Sequence, residues 1–374
     1  MRRLSFVAAA LCAGAVLAAP LDSRGGPGSA DPPIAVVDLH VDVPWQVHYK
    51  HRNPGLREGH ASLAALVAGG YGGIVFPIYL PDSAPHRKAA DLADAAAIYE
   101  TILGVIQKND VFLPLDAAAA QPGKITSFLS IEGAGAFAAD ITRIDWFIAH
   151  GLRLVSPCHS KNSGLSSSAT GAKVDFGLTP LGKEFAERVY AHGALIDVSH
   201  VSDAAFADIA ELARAHHAPV VATHSNARAV AAQPRNLTDA QLRVIAETGG
   251  VTGINFHAQF VNGTNESTLD DVIKQIEHLV KVAGVDHVAV GSDFDGGIRT
   301  PEGLEDASTF PALAAALRKR GMSYDEVLRI FSLNALRVLG WRPPGTGLPP
   351  AAPPAGSATP AAPPVTPPAA PAPG

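Results

Sequence analysis

Seven side chains in this sequence have the types and spacing to do chemistry together. The run Val36-Val37-Asp38-Leu39-His40-Val41-Asp42 is β-type and apolar, and it ends by presenting a histidine and an aspartate two residues apart. Side chains at i and i+2 of an extended segment point the same way, so His40 and Asp42 can close on one metal ion. Glu132, His159, His200, His224 and Asp293 each stand at the end of another apolar run. Imidazole and carboxylate donors without a thiolate suit zinc, and manganese, cobalt or iron accept the same set. Each residue alone reads more blandly. A strand-end histidine is more often hydrogen-bonded than metal-bound. Glu132 could equally be a solvated loop carboxylate or an anion at a helix terminus, and Asp293-Phe294-Asp295-Gly296-Gly297 could be a plain turn. Within that turn Asp293 is nearer the strand and is the better candidate. Cys158 adjoins His159, but strand neighbours face opposite sides, which argues against a thiol nucleophile. Asp38 and Asp197 sit beside site residues and read as hydrogen-bonding partners.

The elements that must position these residues follow from the alternation of β-type and amphipathic runs. Strands are expected at Ile34 to Leu39, Gly73 to Tyr79, Ile125 to Ile131, Leu152 to Ser156, Ala194 to Val198, Pro219 to Thr223, Gly250 to Asn255 and His287 to Gly291. Helices are expected near Ser62 to Ala68, Arg87 to Gln107, Ile141 to Ala149, Pro180 to His192, Asp203 to His216, Asp239 to Glu247, Leu269 to Val282 and Phe310 to Lys319, with two more at Tyr324 to Phe331 and Leu333 to Leu339. Thr179, Ser202 and Thr238 precede three of them as caps. Eight strand-then-helix units predict an α/β fold, a (β/α)8 TIM-type barrel with additional C-terminal helices, over residues 34–340. Barrel enzymes build their sites at the C-terminal ends of the strands, which is where the strand-end residues stand.

Composition bounds the rest. A 374-residue chain that is 47% hydrophobic can bury a large core, and a formal charge of -6 shows no basic excess, which argues against a nucleic-acid surface. Residues 1–19 carry Arg2 and Arg3 and then a short apolar run, the pattern of a secretory signal peptide, with an uncleaved anchor as the other reading. Export to the periplasm or beyond is therefore expected, with no transmembrane helix after cleavage. Residues 20–33 form an N-terminal segment. Thirteen of the 30 prolines fall between Pro343 and Pro373, so residues 341–374 read as a Pro/Ala-rich extended tail. With Cys12 removed with the signal, Cys158 has no intramolecular disulfide partner.

At this point the chain resembles the renal or membrane dipeptidases, metallopeptidase family M19, within the wider amidohydrolase-like barrels. The likeness is carried by Asp38-Leu39-His40-Val41-Asp42-Val43-Pro44-Trp45, Ile131-Glu132-Gly133, His159-Ser160, Leu195-Ile196-Asp197-Val198-Ser199-His200-Val201-Ser202, Thr223-His224-Ser225, Arg235-Asn236, Asn255-Phe256, Gly291-Ser292-Asp293-Phe294-Asp295-Gly296 and Pro301-Glu302-Gly303-Leu304-Glu305-Asp306, in consistent order over roughly residues 34–340.

The resemblance implies two zinc ions per chain, His40 and Asp42 with one, His200 and His224 with the other, and Glu132 bridging both. It implies that His159 stabilises the transition state at the scissile carbonyl, that Arg235 holds the substrate's terminal carboxylate, and that Asp293 is the general acid/base. The implied activity is hydrolysis of dipeptides through a metal-bridging hydroxide, with D-residues accepted at the C-terminal position, and a homodimer is suggested. Two positions depart from the animal enzymes. His257 stands where they carry a tyrosine near the substrate, which leaves side-chain preference open. Lys161 replaces a disulfide cysteine, which leaves covalent dimerisation open. The alternatives are another metal-dependent amidohydrolase, acting on an N-acyl amino acid, a cyclic amide or a β-lactam, and a catalytically silent metal-binding protein. The His-x-Asp pair and the Glu132 bridge favour the dipeptidase.

Overall fold

The computed structural model of the chain describes residues 32–83, 88–115, 117, 120–172 and 176–343. The expected signal segment, and all but the edges of the N-terminal segment and the Pro/Ala-rich tail, lie outside these residues. Eight parallel strands run β1 (Val36–Asp38), β2 (Tyr71–Tyr79), β3 (Thr126–Glu132), β4 (Leu152–Ser156), β5 (Leu195–Ile196), β6 (Val221–Ala222), β7 (Val251–Ile254) and β8 (Val288–Val290). They pair in the order β5-β4-β3-β2-β1-β8-β7-β6. A parallel bridge between Asp197 and Val221 joins the two ends and closes the ring. This is the expected barrel, and its strands read as near-continuous apolar runs because both faces are buried. Among the described residues, no helix is long and apolar enough to cross a membrane.

The outer helices form because their apolar residues recur every three or four positions. In Leu269–Ala283, Val272, Ile273, Ile276 and Leu279 are buried, and Thr268 and Asp271 close a capping box at its start. The expected caps hold: Thr179 accepts from the amide of Gly182, Ser202 from Ala205 and Thr238 from Gln241.

Three local expectations change. The helix expected from Arg87 begins at Leu92, because Asp91 and Asp94 form a capping box there. The two C-terminal helices are one continuous element, Tyr324–Leu328 and Asn334–Leu339 joined by a π turn at Arg329–Leu333. His40 and Asp42 do not both lie on a strand: β1 stops at Asp38, and Asp42 is the N-cap of a short helix, Val43–His48, with Pro44 in its first turn. They still meet, because the bridge between Val41 and Phe294 holds the intervening residue extended.

Candidate functional site

The rim is shaped by two buried aspartates that take over backbone amides where the ladders stop. Asp38 accepts from the amides of His40 at 3.2 Å and Ser292 at 2.9 Å, and from the Tyr71 hydroxyl at 2.8 Å. Asp197 accepts from the amides of Ser199 at 2.9 Å and Thr223 at 3.0 Å. Each thereby pins a turn carrying a histidine to the end of the adjacent strand. Short β5 and β6 have the same cause, since side-chain oxygen replaces the next ladder bond. Asp197 Oδ2 also receives the Thr223 hydroxyl at 2.7 Å, and Thr223 Oγ1 lies 2.7 Å from His224 Nδ1. With its hydrogen given to Asp197, that hydroxyl accepts Nδ1–H, which leaves the lone pair of His224 on Nε2 and facing the rim.

The expected residues converge. Glu132 leaves β3 with its carboxylate between two groups of imidazoles. Its Oε1 is 2.9 Å from His200 Nε2 and 3.7 Å from both His224 Nε2 and His159 Nε2. Its Oε2 is 3.7 Å from His40 Nε2, which in turn lies 3.3 Å from Asp42 Oδ2. His200 and His224 face each other through Nε2 atoms 3.0 Å apart. Three groups of donors gather closely enough to hold a cation: His40, Asp42 and Glu132; His40, His224 and Asp293; and Glu132, His159 and His200.

The electrostatics fit metal ligation. Burial pushes the carboxyls of Glu132, Asp42 and Asp293 up to about 7. Burial, with the Arg235 guanidinium and neighbouring imidazoles adding to it, holds His200 and His224 well below the ordinary histidine value, so both keep a free lone pair. Neither ring nitrogen of His40 has a hydrogen-bond partner, nor has Nδ1 of His200. Buried polar atoms are normally satisfied. Neutral imidazoles at His200 and His224, beside carboxylates destabilised by burial, are what divalent cations would complete.

Asp293 occupies a strained turn. It and Asp295 have φ of +63° and +67°, the left-handed region that costs a non-glycine residue. Asp295 anchors the turn: Arg52 donates to its two carboxylate oxygens at 2.9 and 2.6 Å, and the amides of His60 and Ala61 donate at 2.9 and 3.3 Å. Replacing Arg52 with methionine leaves that buried carboxylate unpaired. A loss of about 3–5 kcal/mol is expected, read as a lowered denaturant midpoint.

A cavity of about 250 Å³ opens over the cluster, walled by Trp45, Tyr79, Phe260 and Ile298 and reached by Arg235 and His257. Arg235 is buried, with Nη2 3.1 Å from His200 Nε2 and Nη1 unpartnered. Its guanidinium lies over the Phe260 ring at 5.6 Å. His257 donates its backbone amide to Asn255 Oδ1 at 2.6 Å and packs tilted against the Phe260 ring, and its Nδ1 is unpartnered. Asn255 Nδ2 donates to Asp293 Oδ2 at 3.0 Å. Cys158 is buried, its thiol pushed up to about 12 by burial and aimed at the carbonyls of Ser167 and His200. Asn236 is fully buried and donates to the carbonyls of Ala231 and Phe260.

Strand-end reasoning did not single out Arg52, which lies after the first short helix and carries no local signal. It also passed over Asp82, which lies three residues past the end of β2 at Tyr79, as His159 lies three past the end of β4 at Ser156, and was visible by the same rule.

A parallel barrel with imidazoles and carboxylates gathered at its C-terminal rim defines a metal-dependent hydrolase. The family described as membrane dipeptidase (peptidase family M19) matches residues 32–341. The chain belongs to that family and is an enzyme of the metallo-dipeptidase type. It is 28% identical to a dipeptidase of Aspergillus terreus over 349 residues, 82% of this chain and 84% of that one. Among solved structures, a dipeptidase of family M19 is 28% identical with a TM-score of 0.74, over 83% of this chain and 99% of that one. A metallopeptidase from Rhodobacter sphaeroides, liganded with a phosphinate mimic of the dipeptide L-Ala-D-Ala, is 27% identical with a TM-score of 0.73, over 82% of this chain and 99% of that one.

Proposed function

We propose that the protein is an exported zinc dipeptidase that holds two ions per chain and accepts a D-residue at the C-terminal position of its substrate. The observation that carries this reading is the Glu132 carboxylate, one oxygen toward His40 and the other toward His200 and His224. His40 and Asp42 would hold one ion, His200 and His224 the other, and Glu132 would bridge them. Bound there, the ions would supply Lewis-acid chemistry, acidifying a shared water to a hydroxide and polarising the scissile carbonyl.

The remaining groups have separate tasks. Asp293 keeps Oδ2 against the Asn255 amide, which leaves Oδ1 to take a proton from water and return it to the leaving nitrogen. His159 turns Nε2 toward Glu132 and the cavity, where it can stabilise the developing oxyanion. Burial lowers its imidazole, but the carboxylates of Glu132 and Asp82 outweigh that and raise it overall, which favours a donor at the oxyanion. Arg235 offers the free Nη1 to a terminal carboxylate, and His257 lies beside it on the wall. A cavity of about 250 Å³ suits two small residues.

Hydrolysis of L-Ala-L-Ala and L-Ala-D-Ala, set against a tripeptide and N-acetylalanine, tests the reading. Turnover of both dipeptides is expected, and preference for the blocked amino acid would overturn it. Arg235→Met is expected to raise KM for dipeptides by about 10- to 100-fold, the loss of one charge-assisted pair of about 1.5–3 kcal/mol, while kcat changes little. An unchanged KM would remove the role assigned to Arg235.

A further inference from the structure

His159 is steered from outside the metal cluster, by the loop that follows β2. Asp82 Oδ2 accepts from the amides of Ser160 at 3.0 Å and Lys161 at 3.1 Å, and lies 3.5 Å from His159 Nδ1. The Lys161 ammonium returns across the same gap to the carbonyl of Ser83. The Tyr79 ring packs edge-on against the imidazole with centroids 4.9 Å apart. Gly133 lets the two loops approach, since a Cβ there would sit 2.8 Å from the Leu80 carbonyl oxygen and 3.3 Å from His159 Cβ. One face of the imidazole system is thus fixed at Nδ1 by Asp82 and by Ser160 Oγ at 2.9 Å, and Nε2 is left toward Glu132 and the cavity.

We propose that Asp82 is a positioning residue for the hydrolytic reaction, holding the two amides that follow His159 and the Nδ1 edge of its ring so that Nε2 meets the reacting carbonyl. The proposal rests on the role given to His159 above. A ring released from this clamp swings on its own χ angles, and a misplacement of about 1 Å costs about 100-fold in rate.

The test is a double-mutant cycle on the metal-loaded enzyme with L-Ala-D-Ala. Asp82→Ala is expected to lower kcat about 100-fold with KM moving less than about threefold. Asp82→Asn, which keeps an oxygen for the two amides but loses the charge beside His159 Nδ1, should fall between. In a His159→Ala background the same Asp82 substitutions should change kcat less than about twofold, because the group they act through is gone. Equal losses in both backgrounds, or wild-type kcat in Asp82→Ala, would overturn the proposal. Should Asp82→Ala fail to fold, Asp82→Asn carries the cycle. Nitrogen-15 spectra of the imidazoles read the same claim without turnover: the His159 Nδ1 resonance should shift in Asp82→Asn while that of His257 does not. An unshifted His159 would overturn the role of Asp82 even if dipeptides are cleaved. A wild type inert toward dipeptides would instead refute the function proposed above.

Discussion

Glu132→Gln is expected to lower kcat/KM for dipeptides by roughly 10³- to 10⁴-fold, the several kcal/mol that metal polarisation supplies, and to leave fewer than two ions bound per chain. The side chain keeps its size but loses the charge that faces His40 on one side and His200 and His224 on the other. An amide presents one oxygen and one NH₂, so it could ligate an ion at only one of the two groups of imidazoles. Stability should move the other way. Burial pushes the Glu132 carboxyl up to about 7, with Asp42 and Asp293 adding to the penalty and His40 and His159 opposing it. A group whose folded pKa is raised above its unfolded value of 4.5 costs the metal-free protein stability as pH rises through that window. A neutral amide carries no such cost. Metal-free Glu132→Gln should therefore melt at or above the metal-free wild type at pH 8 while being nearly inert. Atomic emission for the ions, steady-state kinetics and a melting curve check the three parts. Two ions and wild-type turnover in the variant would remove Glu132 from the centre of the site.

Gly291→Ala is expected to destabilise the fold by about 3 kcal/mol or more, the upper range for overpacking a rigid core, and to weaken metal binding. A Cβ at Gly291 would lie 1.7 Å from the carbonyl oxygen of Thr223, and one at Gly253 would lie 1.9 Å from the same oxygen. Three strand ends meet there, with the Gly253 and Gly291 backbones closing on the residue just before His224. Backbone cannot yield as a flexible side chain can, so the Thr223 carbonyl must move and carry His224 with it. Gly104 is the control. It lies in the helix Leu92–Lys108, and a Cβ there meets nothing within 4 Å. Gly104→Ala should stabilise by about 0.5–1 kcal/mol through reduced chain entropy, with metal affinity unchanged. Denaturant midpoints and a zinc titration compare the pair. Equal effects at the two glycines would contradict the close approach.

Much of this site could be read from the sequence because the barrel imposes one simple rule. A residue at the end of an apolar strand, or within four positions beyond it, is delivered to the rim, and His40, Glu132, His159, His200, His224 and Asp293 all obey it. Asp38 and Asp197 were legible for the related reason that they stand at the strand ends just before those residues, and both orient the turns they precede. The geometry behind the His40–Asp42 pair was not legible. Periodicity runs through Asp42 without a break, and the turn into the helix Val43–His48 depends on Pro44 and on the bridge to Phe294. Arg52 was invisible because its partner Asp295 is 243 residues away and no local pattern links them. The helix start at Leu92 was placed too early, because the capping box of Asp91 and Asp94 sets it and not the start of the preceding Ala-rich run.

Zinc titration into metal-free protein, with turnover of a dipeptide followed at each addition, tests most directly whether this rim is a two-ion hydrolytic centre. No hydrolysis before metal is added, and activity that rises to its plateau at two equivalents per chain, is the expected result. Full turnover by the metal-free protein would contradict it.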